Sequence, residues 1–218
     1  TTIVEFAQKM IGGQKQMVPE GGDPKLSVRA RQLIHFIESA NTMIFEKSRA
    51  FAKDHGMGTT VVAVLADGKS ITVGHVGDSR LYVFRNGNLE RLTEDHSLVM
   101  EQVKRGHISE EQAEKSNLQN ILTRALGTEE KVQVDVQDHP ALPEDIFLLC
   151  SDGLTKMVTE PEMAEVLAGP GEPSGKVDKL IEMALEAGGV DNVTVAVLQV
   201  GNPKNEGILG FFRRLFGR

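Results

Sequence analysis

The chain has 218 residues, 40% of them hydrophobic and 25% charged, with a net charge of −7. That length and balance fit one large globular domain with a real core and exclude a disordered chain. The acidic balance argues against a general nucleic-acid binder, which shows a basic face, and suits a protein that gathers cations. Cys150 is the single cysteine, so no internal disulfide forms, and its place in the apolar run Ile146-Phe147-Leu148-Leu149-Cys150 marks it as a small core residue. A reducing, cytoplasmic setting is the expectation that follows. No signal peptide is visible, and no apolar run reaches the roughly 18 residues of a membrane span.

In chain order, Ile3, Phe6 and Met10 keep helical spacing before Gly12-Gly13. Asp23-Pro24 predicts a helix cap followed by proline in the first turn, and the helix is expected to run to Lys53 with Leu33, Ile37, Ile44 and Phe51 buried. The pattern then changes to strands. Thr60 to Ala66 and Ser70 to Val76 flank Asp67-Gly68-Lys69, and Leu81 to Arg85 and Leu89 to Leu92 flank Asn86-Gly87, so two hairpins are predicted. Residues 94–128 lose β character. A helix is expected over Ser97 to Arg105, and Ser109-Glu110-Glu111-Gln112 reads as a capping box. Val132 to Val136 alternates like a strand, Asp145 to Cys150 reads as a central strand buried on both faces, and Val193 to Val200 as a last one. Between them, Thr159 with Glu162 caps one helix and Val177 to Ala187 forms another.

From Gly201 the composition shifts to a linker, Asn202-Pro203-Lys204-Asn205, and then to the apolar, basic run Ile208 to Phe216. A frayed terminus is the plainer reading of that run; contact with a membrane surface or a partner groove is the alternative.

Three aspartates stand in short motifs at strand edges: Asp78 in Gly77-Asp78-Ser79-Arg80, Asp152 in Ser151-Asp152-Gly153 and Asp191 in Asp191-Asn192-Val193-Thr194. Each alone is better explained as a turn residue or helix cap. Together they offer hard oxygen ligands on rigid strand ends, and the expectation is that they gather around a shared pocket that lodges magnesium or manganese. His35, His55, His75, His96, His107 and His139 show no paired ligand spacing, which disfavours an imidazole-rich zinc site. No phosphate-binding loop with Lys-Ser/Thr and no Gly-x-Ser-x-Gly elbow occurs. A metal-assisted hydrolase is the leading reading, and a structural cation site that only steadies loops is a competitor.

An ordered series of motifs carries a resemblance. It comprises Gly56-Met57-Gly58-Thr59-Thr60, Val76-Gly77-Asp78-Ser79-Arg80-Leu81-Tyr82, Leu92-Thr93-Glu94-Asp95-His96-Ser97, Leu122-Thr123-Arg124-Ala125-Leu126-Gly127, Leu149-Cys150-Ser151-Asp152-Gly153-Leu154 and Gly189-Val190-Asp191-Asn192-Val193-Thr194. In these residues the chain resembles the metal-dependent protein serine/threonine phosphatases, the protein phosphatase 2C class, in its bacterial branch. The resemblance implies an α+β fold of two packed antiparallel β-sheets flanked by helices on both outer faces. It implies a phosphatase-like domain over residues 1–200, with 201–218 as linker and basic amphipathic tail, and a flap formed by residues 97–118.

It further implies two or three manganese or magnesium ions, with Asp152 and Asp191 on the core pair and Asp78 on a looser third, and Gly153, Asn192 and Ser79 supporting them. The implied reaction is hydrolysis of phosphoserine or phosphothreonine in proteins by a metal-activated water. The implied partners are phosphorylated proteins and the serine/threonine kinase that makes them, with no nucleic acid. A non-catalytic phosphoprotein-binding or signalling module of the same fold is the alternative. The family pattern opens with an Asp-Gly-Met-Gly-Gly-His segment ahead of the first long helix, which this chain does not show. Asp54-His55-Gly56-Met57-Gly58 is only superficially similar. The expectation is therefore an N-terminally truncated piece with impaired activity, no catalytic residue assigned, and an exposed sheet edge.

Overall fold

The computed structural model describes residues 23–50, 54–114, 116, 118 and 120–201. The helix expected around Ile3 to Met10, Phe51, and the tail from Asn202 lie outside the described residues. Among the described residues two compact units are present: one built from residues 23–81 together with Leu92–His139, the other from Tyr82–Arg91 and residues 140–201.

The first unit sets the long helix α1 (Val28–Ala50) against a sheet of three strands, β1 (Val61–Ala66), β2 (Ser70–Val76) and β5 (Asp135–Pro140), in the order β1-β2-β5. The start of α1 differs from the sequence reading. Asp23 closes a turn instead, its carbonyl accepting from Leu26 N–H at 3.1 Å, and Ser27 caps the helix, its Oγ accepting from Ala30 N–H at 3.1 Å. The short serine side chain reaches the third amide of the helix from the position directly before it, whereas Asp23 is a further turn away. Leu33, Ile37 and Ala40 are buried, and Ile37, Ala40, Val76 and Leu126 form a core with half-buried Ile44, Val61, Val132 and Val134. Gly74 on β2 lets the helix come close, since a Cβ there would stand 3.0 Å from Ile37 Cδ1.

β1 and β2 pair antiparallel from Val61↔Val76 to Ala66↔Ile71. Their turn is held by Asp67 Oδ1, which accepts from Lys69 and Ser70 N–H, each at 2.9 Å. β5 begins three residues later than the alternation of Val132 to Val136 suggests. Val132 and Val134 point into the α1 core, so their period reports burial of an extended segment outside the sheet ladder. Buried Asn41 ties that segment to α1: its Nδ2 donates to the carbonyls of Glu129 and Glu130 at 3.0 and 3.1 Å, and its Oδ1 accepts from Gly127 N–H at 2.8 Å. The expected helices of the 94–128 region are α2 (Leu98–Lys104), capped by Ser97, and α3 (Glu110–Glu114). The capping box at α3 forms, with Ser109 N–H donating to Gln112 Oε1 at 2.8 Å.

The second unit carries four strands, β3 (Arg80–Arg85), β4 (Asn88–Arg91), β6 (Ile146–Cys150) and β7 (Val195–Gln199), in the order β4-β3-β6-β7. The β3–β4 turn has Asn86 at φ 51° and Gly87 at φ 81°, the left-handed pair that an Asn-Gly hairpin requires. Helices α4 (Asp152–Thr155), α5 (Glu160–Ala168) and α6 (Pro173–Glu186) cover this sheet. Their buried residues Leu154, Met163, Leu167, Leu180 and Ala184 join Tyr82, Ile146, Leu148 and Cys150 in one core, so Cys150 is the packing residue expected. α5 opens with the Thr159–Glu162 capping box. It closes on buried Lys176 of α6, whose Nζ donates to the carbonyls of Leu167 at 2.7 Å, Val166 at 3.4 Å, and Gly169.

Candidate metal centre

Strand β6 runs out at Cys150, paired with Val195 at the start of β7. The next residue, Ser151, stitches the two strand ends beyond the ladder. Its N–H donates to Thr194 O at 3.0 Å, its Oγ accepts from Thr194 N–H at 3.0 Å, and the same hydroxyl donates to Asn192 O at 3.1 Å. Asp152 then opens the single turn of α4, a helix that the sequence pattern does not predict. Gly153 lies flush on the opposite backbone: a Cβ there would fall 2.3 Å from Asn192 O. Two segments some forty positions apart are thus locked side by side, each delivering one carboxylate.

Those carboxylates converge on one cation. Lys156 Nζ pairs with Asp152 Oδ2 and stands 3.5 Å from Asp191 Oδ2. All three side chains reach solvent, with 27% of Lys156, 30% of Asp152 and 46% of Asp191 exposed, so an ion can enter from water. Asp191 Oδ1 accepts from Asn192 N–H at 2.8 Å, and that backbone bond, then Lys156, holds its carboxyl below the usual carboxylate range. Burial alone lowers the Lys156 ammonium, but its hydrogen bonds and the charges of Asp152 and Asp191 outweigh this and hold it above its ordinary value. Oxygen donors, a net negative charge and a cation already seated between them form a donor set that fits a hard divalent ion. The expected partners Gly153 and Asn192 act through backbone here, one by having no side chain and the other through its N–H and carbonyl.

Asp78 belongs to the first unit, in the turn after β2. Gly77 before it sits at φ 107°, and a Cβ on it would lie 2.3 Å from Thr60 Cγ2, so only glycine fits. Gly77 N–H donates to His96 Nδ1 at 3.1 Å, and His96 N–H donates back to Gly77 O at 3.0 Å. On the other side, Ser79 Oγ shares a 2.8 Å hydrogen bond with Thr60 Oγ1, and Arg80 grips Asp95 through Nε at 2.9 Å and Nη2 at 2.6 Å. The turn is therefore fixed at both ends by side chains from the Glu94–Ser97 segment and β1's approach.

The sequence reading missed a cluster behind this turn. His75, His96 and Asp135 bring ligand atoms within 4.8 Å of one another. Their separation along the chain has no ligand-like spacing, and the one sequence signal was the Asp95-His96-Ser97 motif. Spacing along the chain disfavours an imidazole-rich zinc site, yet these three side chains stand close enough to hold an ion, and in this structure their ring nitrogens and carboxylate are engaged in hydrogen bonds. Because His96 Nδ1 accepts from Gly77, its Nε2 carries the proton and donates to Asp135 Oδ2 at 3.2 Å. His75 Nε2 donates to Glu94 O at 2.9 Å, and the two rings stack at 4.6 Å with 29° between planes. Asp135 is neutralised by Arg124 Nη1 at 2.6 Å. Burial, then the charges of His75 and Arg124, pushes the His96 pKa down to about 4 against the pull of Asp135. The cluster is a hydrogen-bond network that holds Gly77.

The sequence profile of the Protein phosphatase 2C family matches residues 22–193. The chain is 44% identical over 163 residues to serine/threonine phosphatase stp of Listeria welshimeri, an alignment spanning 75% of this chain and 65% of that protein. Likewise it spans 58% of the stp protein of Listeria monocytogenes at 48% identity. The chain therefore covers less than two thirds of the length of these curated relatives. Among solved structures, the S. agalactiae serine/threonine phosphatase superposes with a TM-score of 0.76 at 37% identity, covering 84% of this chain and 75% of that one. The catalytic domain of the protein phosphatase PstP, in complex with 2 manganese ions, superposes with a TM-score of 0.75 at 32% identity, covering 92% and 80%. With the family profile matching residues 22–193 and the two antiparallel sheets with flanking helices shared with the solved phosphatases, the chain belongs to the protein phosphatase 2C family.

Proposed function

We propose that this protein hydrolyses phosphoserine and phosphothreonine in other proteins, with Asp152 and Asp191 as direct ligands of manganese or magnesium and Asp78 serving a further, more loosely held ion. The observation that carries the reading is the convergence of Asp152 and Asp191, from separate segments, on a single cation seat. The metal, when bound, supplies water activation at neutral pH and neutralises charge on the phosphoryl oxygens. The chain's own contribution is rigidity. Ser151 and Gly153 fix the spacing of the two carboxylates, and Asn192 N–H keeps Asp191 ionised and oriented. The relatives' names, serine/threonine phosphatase, support the substrate class. Substrates are then the products of a serine/threonine kinase. Among the described residues no helix is long and apolar enough to cross a membrane.

Phosphate release from a phosphothreonine peptide by the complete gene product with manganese tests the reading. Asp152→Asn and Asp191→Asn are each expected to lower turnover by about 100-fold or more at unchanged melting temperature. Turnover that survives both substitutions contradicts it. The second reading, a non-catalytic phosphoprotein-binding module, is favoured by one feature: Lys156 occupies the space between the two carboxylates and offsets half their charge without metal. Saturable phosphopeptide binding with no turnover in manganese selects that alternative.

A further inference from the structure

Lys156 has no part in the sequence reading, yet it is the residue on which both proposed ligands meet. It follows Asp152 by four positions, the spacing that places two side chains on one face of a helical turn. Asp191 arrives from the segment before β7 and completes the contact. We propose that Lys156 is a built-in counter-cation that must leave the seat between Asp152 and Asp191 when a divalent ion enters, so that this lysine sets the protein's metal affinity. The inference rests on the metal-centre reading above and extends it.

The physical argument is one of competition for the same lone pairs. An ammonium is a compact cation with three N–H donors. Each carboxylate oxygen that accepts one of them is turned toward nitrogen and away from an incoming ion. A divalent ion bound to the same two oxygens would also stand within a few ångströms of the ammonium charge, and that repulsion adds to the competition. In the metal-free protein the lysine has the opposite effect. It cancels the repulsion between two carboxylates that Ser151 and Gly153 hold close together, and so keeps the two segments docked without metal. The flexible four-carbon stem of lysine lets the ammonium swing into solvent, which its partial exposure permits, so displacement needs no backbone movement.

Manganese titration followed by the electron paramagnetic resonance signal of free Mn2+ tests this on the complete gene product, with no turnover required. Lys156→Gln is expected to bind manganese roughly tenfold more tightly than the unaltered protein, an effect reduced below its full Coulomb value by the solvent around the site. Lys156→Arg, which keeps the charge, is expected to bind within about twofold of it. Melting of metal-free Lys156→Gln should start lower and rise further on adding manganese. Lys156→Ala provides the same comparison should the glutamine variant fold poorly. If Lys156→Gln binds manganese no more tightly while Asp191→Asn weakens binding, the lysine proposal falls and the metal centre stands. If no variant shows carboxylate-dependent binding, both fall.

Discussion

Gly153→Ala puts the geometry of the metal centre to a quantitative test, because two physical effects of opposite sign meet at that residue. Gly153 lies in the first turn of α4, where exchanging glycine for alanine ordinarily stabilises a helix by up to about 1 kcal/mol. Here the new methyl group would stand 2.3 Å from Asn192 O and 2.9 Å from Asn192 C, both backbone atoms that no rotamer change can move. Carbon–oxygen contacts settle near 3.3–3.6 Å, so the two segments must part by about 1 Å. That separation strains or breaks the Ser151 hydroxyl bonds to Asn192 O and Thr194 N–H, each worth about 1 kcal/mol, and adds an overpacking cost of about 1–3 kcal/mol. The clash outweighs the propensity gain, and the net expectation is a loss of about 2–3 kcal/mol, with weaker manganese binding alongside. Urea unfolding with a fixed m-value measures it. Gly175→Ala in α6 is the control: a Cβ there meets nothing within 4 Å, and the same exchange should leave stability unchanged or raise it. Equal or higher stability of Gly153→Ala, with unchanged manganese affinity, would refute the close apposition on which the site depends.

Two further outcomes follow from buried polar groups. His96 has its pKa depressed to about 4 in the folded protein, against 6.5 unperturbed, with His75, Arg124, Asp135 and Gly77 N–H around it. As pH falls below 6.5 the unfolded chain takes up the proton first, so stability is complete above that value and about 2–3 kcal/mol is lost by pH 4. Urea midpoints across this range check it, and His96→Asn, which retains an acceptor for Gly77 N–H, should flatten that part of the pH profile; an unchanged slope contradicts the assignment. Lys176→Met leaves the carbonyls at the end of α5 without their ammonium donor and should cost about 2 kcal/mol in chemical unfolding; a neutral result would show that those carbonyls find other partners.

Much of the scaffold was legible because its signals are local. Asn86-Gly87 named its hairpin, Thr159 and Glu162 named their helix start, and the unbroken apolar run into Cys150 named the central strand. Period alone misled where burial and hydrogen bonding diverge: Val132 and Val134 alternate because they face α1, while the strand proper begins at Asp135. The proline after Asp23 drew attention from Ser27, the residue one step from the helix that does the capping. Asp152 and Asp191 were legible as strand-edge carboxylates, and the structure brings these two together. Asp78 was legible as a third strand-edge carboxylate, and the positive φ of Gly77 before it emerged only with the fold. Lys156 and the His75–His96–Asp135 network were not, since a cation four residues beyond a motif and an imidazole pair 21 positions apart acquire meaning only when backbone pairing places them.

The claim beneath the whole account is that Asp152 and Asp191 share one divalent cation. Anomalous scattering from crystals of the protein grown with manganese measures it directly. The account predicts a manganese peak bonded to carboxylate oxygens of both residues, with the Lys156 ammonium displaced from its position between them. A peak absent there, or found instead against His75, His96 and Asp135, would contradict it.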